Sequence, residues 1–228
     1  MFGWENLRNL LRDVFGGGAD ISSANPLPVD ISPGVKTATT ILNEAIIAFA
    51  SLTTLVDCTA LDLSSGPATL ALTVKARYNA AAALGIRVHV RTSPTNSASG
   101  THPGAINLLV MTDLTAHFIV NELIGLTINN ATDGSSGVVT ANTETTVTVA
   151  ALAGGTTDQW NPGDAYTIPG ADYDTEDWDV WDPAFVANAV LRETEHYDTS
   201  PMYVKVLIEN LDAAQTVTDV LVIVARGV

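Results

Sequence analysis

The chain has 228 residues, 46% of them hydrophobic and only 15% charged, enough apolar material for the core of one large domain or two small ones and too much for overall disorder. Its 25 acidic and 10 basic residues give a formal net charge of -15, which argues against nucleic-acid and anionic-membrane partners. Cys58 is the only cysteine, so an intrachain disulfide and a thiolate metal cluster are excluded.

The first residues lack the basic start, apolar stretch and small-residue cleavage site of a secretory signal, and no run approaches about 20 apolar residues. Neither export nor a membrane span is expected. Trp4, Leu7, Leu10, Leu11, Val14 and Phe15 recur at three- and four-residue spacing, with Glu5, Arg8, Asn9, Arg12 and Asp13 between them. This spacing predicts an amphipathic helix, ended by Gly16-Gly17-Gly18. So short a helix must cover its stripe. Trp4, Leu7, Leu11, Val14 and Phe15 are therefore candidate partner-binding residues, with the chain's own domain and a neighbouring subunit both open as the covering surface. Pro26, Pro28, Pro33 and Gly34 resist helix and central strand, so residues up to 36 read as a linker or extended arm.

From residue 37 apolar runs alternate with turn residues. Ile41 to Leu55 suits helix or strand, and Cys58 just beyond it reads as a small buried hydrophobe. Leu70, Leu72 and Val74 alternate with Thr69, Ala71 and Thr73, and Ile86, Val88 and Val90 alternate with Arg87, His89 and Arg91. Each is a half-buried strand by its period of two. Residues 126 to 168 have another texture: Asp133-Gly134, Gly154-Gly155 and Asn161-Pro162-Gly163-Asp164 are turn signals around short strands, a pattern that suits a small inserted β-barrel. Towards the C-terminus, Tyr203 to Ile208, a turn at Asn210-Leu211-Asp212, and Val217 to Val224 predict an antiparallel pair.

The runs Glu122 to Thr127, Asn130 to Gly137, Gly154-Gly155 and Trp160 to Tyr166 together resemble a small β module that recurs in structural proteins of tailed phages. The flanking pieces, Gly85 to Ser93 and Asp172 to Asp179, resemble one β-sandwich hairpin of phage virion proteins, split by the insertion. These segments cover about two thirds of the chain and carry no catalytic residues; the N-terminal helix and arm fall outside them. The resemblance implies location in the virion. It also implies a structural role as a capsid decoration, head-fibre, neck or tail component, with other virion proteins and copies of the same chain as partners.

Candidate chemistry is sparse. Asp172, Asp174, Glu176, Asp177, Asp179 and Asp182 form the densest polar cluster; alternating carboxylates can cage Ca²⁺, but the glycine and distal glutamate of an EF-hand loop are missing. A solvated acidic turn is the commoner reading, so the first five are a weak calcium candidate. Asp174 and Glu176 would also have to serve any glycoside hydrolysis. His89, His102, His117 and His196 stand apart, without a metal-binding pair or nucleophile motif, and structural roles suit them. Tyr173, Trp178 and Trp181 can plug a sandwich rim or stack on sugars.

The expectation is an all-β, jelly-roll-like β-sandwich over residues 37–104 and 170–228, interrupted by a small β-barrel-like domain at 105–169 and preceded by the helix and arm at 1–36. It is a non-enzymatic virion protein without cofactor or resident metal. The rival expectation is a receptor- or glycan-binding module of a phage fibre, using Tyr173, Trp178 and Trp181 on a cell-surface glycan.

Overall fold

Alternation in the sequence becomes burial in the strands. The computed structural model describes residues 37–64, 69–173, 177–197 and 201–227. The expected N-terminal helix and arm, with Trp4, Leu7, Leu11, Val14 and Phe15, lie outside these, as do Asp174 and Glu176. Fourteen strands are present among the described residues: β1 (Thr37–Ile47), β2 (Leu61–Asp62), β3 (Thr69–Tyr78), β4 (Ile86–Ser93), β5 (Ser97–His102), β6 (Val110–Thr112), β7 (Thr127–Asn130), β8 (Ser136–Asn142), β9 (Thr146–Val149), β10 (Asp164–Pro169), β11 (Asp179–Trp181), β12 (Val190–Tyr197), β13 (Tyr203–Asn210) and β14 (Val217–Gly227). The protein is all-β, and every strand pairing is antiparallel.

Eight strands build a sandwich of two four-stranded sheets, ordered β1-β14-β3-β12 and β11-β4-β13-β2. Most successive strands change sheet, and the outer strands are joined by long returns, which is the order of a jelly roll. Leu72, Val74, Val88, Val206, Ile208 and Val222 meet between the sheets and are essentially inaccessible. Each such side chain contributes about 1.5–3 kcal/mol by leaving water. Cys58 belongs to the same core, where burial pushes its thiol up to about 11.

The segment Ile41 to Leu55 resolves into the end of β1 and a loop. The C-terminal expectation is corrected: β13 and β14 are consecutive but lie in opposite sheets, β13 between β4 and β2 and β14 between β1 and β3. Period-two alternation reports which face of a strand is buried, but not which sheet the strand joins. The connection is held by Asp212, whose carboxylate accepts N–H groups from Ala83, Leu84, Ala214 and Gln215 at 2.6 to 3.1 Å. β13 is buried on both faces, because Leu55 and Tyr173 pack on Leu207 on the side away from the main core.

The remaining six strands form the sheet β5-β10-β7-β8-β9-β6, with its own core around Met111, Ile128, Val147, Trp160, Tyr166 and Ile168. The chain enters this sheet at Ser97, earlier than the expected 105, because β5 pairs with β10 along its whole length. The insertion interrupts a hairpin: β4 and β11, which flank it, are paired as Val88↔Trp181 through Val90↔Asp179. Buried His102 bridges the two edge strands of the inserted sheet. Its Nδ1 accepts the Thr112 N–H of β6 at 3.0 Å, and its Nε2–H donates to the Ala105 carbonyl at 3.1 Å, giving the sheet a barrel-like seam.

Asp133 does for the inserted domain what Asp212 does for the sandwich, accepting the Thr157 and Asp158 N–H groups and the Thr157 hydroxyl. The Ser135 hydroxyl and these Thr157 and Asp158 donors lower the Asp133 carboxyl to about 2, and the N–H groups of Ala214, Ala83 and Leu84 lower that of Asp212 to about 2. Both ionise at a lower pH when folded than when unfolded, where aspartate titrates at about 3.9. Their stabilisation is therefore complete above the unfolded value and is lost as pH falls through about 2. Thermal melts between pH 5 and pH 2 should show a falling midpoint, with a shallower fall in Asp212→Asn. A midpoint flat below pH 4 would contradict the assignment.

Candidate functional site

β4 projects Arg87, His89 and Arg91 from one face by its period of two, and these three basic side chains meet two members of the acidic cluster that the sequence singles out, Asp177 and Asp182. Asp182 takes Arg87 through two hydrogen bonds, at 2.8 and 3.0 Å. The Arg87 guanidinium holds the Asp182 carboxyl below the usual range. Asp177 faces His89 Nδ1 at 2.8 Å and accepts Arg91 Nε at 3.2 Å. Glu209 of β13 stands 3.3 Å from His89 Nε2. Arg91, only 8% exposed, also donates to Glu122 of the inserted domain at 2.5 Å, so one side chain ties the two sheets' domains together.

Asp172 and Asp179 point elsewhere. Asp179 accepts the Tyr197 hydroxyl at 2.8 Å, and Asp172 accepts the Thr95 hydroxyl at 2.6 Å. Among the described residues no group of three His, Cys, Asp or Glu side chains is placed to hold a metal ion.

The three candidate aromatics do not share an open face. Tyr173 is buried against Leu55 and Leu207, donates its hydroxyl to Asn96 at 2.8 Å, and has Lys205 Nζ 5.2 Å from its ring centre. Trp181 packs on the sandwich core. Trp178 is 38% exposed and leans on the Tyr197 ring at 4.9 Å. Of the histidines, His117 is exposed beside Glu144, at 3.3 Å.

A cavity of about 410 Å³ lies where the sandwich meets the inserted domain. Its floor is a pair that sequence reading does not single out as a site. Tyr166 of β10 donates its hydroxyl to Asp113 Oδ2 at 2.9 Å, while Asp113 Oδ1 accepts the Thr115 N–H and hydroxyl at 2.9 and 2.7 Å. Burial works to raise the Asp113 carboxyl, but the donors on Thr115, Tyr166 and Ala116 outweigh it and hold the group below its usual range. Burial, then the same carboxylate, push the Tyr166 phenol well up. Gly100, opposite Tyr166 in the ladder, makes this pair possible: a Cβ there would run into the Asp113 carboxylate and lie 2.7 Å from the Tyr166 hydroxyl. Asp113-x-Thr115 is legible as a local turn; its meeting with Tyr166 depends on the fold.

Fold and site together define an all-β jelly-roll protein carrying a second β domain in one hairpin. No family model matches the sequence, and no curated protein or solved structure matches it either.

Proposed function

We propose that this chain is a structural protein of a tailed-phage particle, acting through subunit contacts and surface display as a capsid decoration, head-fibre, neck or tail component. The observation that carries the reading is the seating of the inserted sheet between the paired strands β4 and β11, the arrangement that the resemblance of residues 85–93, 122–166 and 172–179 to phage virion proteins implies. An inert scaffold also suits a molecule in which the carboxylates and cations along β4 are spent on one another.

The surface offers contacts for assembly. Ile46, Leu52 and Asp57 border one shallow depression, and Val56 next to it lies against Gly125, beside Ile124. Ile46, Leu52, Val56 and Ile124 are all exposed, with Glu44, Ser51, Thr53 and Asp57 around the first two, and exposed apolar side chains rimmed by polar ones suit contact with a neighbouring subunit. The test is antibody labelling of purified tailed-phage particles, imaged by electron microscopy, beside a chain lacking residues 1–36. The full chain should label one recurrent position. The shortened chain, which keeps both cores, should fold but fail to incorporate. Particles that never carry the chain would overturn the reading, and a shortened chain that incorporates normally would remove the attachment role of residues 1–36.

The rival, saccharide binding by Tyr173, Trp178 and Trp181, finds only Trp178 open to a ligand. What favours a saccharide is the cavity beside Asp113, whose lining includes Tyr173 but neither tryptophan.

A further inference from the structure

We propose that the cavity between the sandwich and the inserted domain binds a neutral saccharide of one or a few rings. The inference goes beyond assembly and does not depend on it. At about 410 Å³ the space falls within the range of small-ligand sites, and its lining selects the ligand by chemistry.

Thr95, Ser97, Ser99 and Thr115 present hydroxyls, and Asp113 and Asp172 present carboxylate oxygens, with no lysine or arginine among the lining residues. Anionic ligands would therefore meet uncompensated negative charge. A metal ion finds no group of three ligating side chains among the described residues, and Glu122 is already matched by Arg91, so the rival ligand is an organic cation drawn by Asp113 and Asp172. Towards the hydroxyl groups of a sugar, Ser99 can donate and accept, while Thr95, Ser97 and Thr115, whose hydroxyl protons go to Asp172, the Ala98 carbonyl and Asp113, keep acceptor capacity, as do the carboxylates. Phe118, half-buried at the same wall and edge-on to Tyr166 at 6.4 Å, supplies an apolar ring for the C–H face of a sugar.

The site is also held in advance of any ligand. Gly100 leaves room for the Asp113–Tyr166 pair, and Asn96 and Asp172 at the rim adopt left-handed φ of 53° and 69°. The Tyr173 hydroxyl fixes the first, and the second is fixed by its bond to Thr95. Non-glycine residues kept in this region cost energy that the surroundings must outweigh, and such positions concentrate at binding sites.

Saturation-transfer NMR on the full chain, with a panel of neutral hexoses, N-acetylhexosamines and their disaccharides, tests the proposal. At least one sugar should bind saturably in the millimolar range or tighter. Binding should weaken about tenfold or more in Ser99→Phe, which fills the cavity from an exposed strand position and should leave the melting temperature unchanged, and in Phe118→Ala, which removes the ring and, with its packing on the inserted core, lowers the melting temperature without unfolding the chain at the binding temperature. Should one variant fold poorly, the other and the wild-type titration still decide. Absence of saturable binding to the whole panel would overturn the proposal, as would binding indifferent to both substitutions, or binding of Ca²⁺ or a primary amine at the cavity in place of every sugar. None of these outcomes bears on particle labelling, so a failed saccharide site and a failed assembly role are read apart.

Discussion

Replacing Trp160 by alanine should cost about 3–5 kcal/mol, the range for deleting a fully buried large aromatic, and the loss should fall on the inserted domain first. Trp160 is wholly inaccessible and packs among Met111, Ile128 and Tyr166, in a cluster that shares no residue with the core between the sandwich sheets. It stands 6.1 Å from the His102 ring, which bridges β5 and β6, so the cavity left by the indole opens beside the seam of the barrel. Its main chain also exchanges both hydrogen bonds with Asn107, at 2.7 and 3.0 Å. The Nε1 atom is buried without a partner among the described residues, so the substitution removes packing rather than a side-chain hydrogen bond to any of them. Hydrogen exchange should show β7 to β10 losing protection while β3, β13 and β14 keep theirs. A uniform loss across both domains would mean that the two cores unfold as one unit.

The division into two cores was legible, because period-two alternation at Leu70–Val74 and Ile86–Val90 and the turn signals at Asp133-Gly134 and Gly154-Gly155 are local properties of the chain. The jelly-roll order was legible only as a class. Nothing in the alternation of Val217 to Val224 tells β14 to leave the sheet of β13; Asp212, by gathering four N–H groups from two loops, imposes that crossing. Tyr173 looked like a rim aromatic because its neighbours in sequence are acidic, yet it is drawn inward by Lys205, itself buried and bound to the Leu55 and Gly170 carbonyls at 2.6 and 3.0 Å. The cavity was illegible for a similar reason. Asp113 and Tyr166 are far apart along the chain, and the cue that unites them is a glycine, Gly100, whose purpose shows only when the ladder places it opposite Tyr166.

Arg91→Ala should cost about 3 kcal/mol and loosen the inserted domain on the sandwich. Arg91 lies on β4 and donates to Asp177 on the returning arm of the hairpin and to Glu122 in the insertion, with about a tenth of its side chain exposed. Ion pairs open to water contribute little, but removal of one partner from a sheltered pair leaves its counter-charges desolvated and unmatched. Here two carboxylates would be left, and the neighbouring His89 ring already faces Asp177 and Glu209. Arg91→Lys separates charge from geometry: it keeps one positive charge but cannot span both acids with a planar fork, so it should recover only part of the loss. Melting curves give the energetic cost, and exchange rates around Glu122 and Gly125 report the loosening. If Arg91→Ala melts like the wild type while Glu122→Gln does not, the tie between the domains runs through Glu122 by another route, and the role given to Arg91 is wrong.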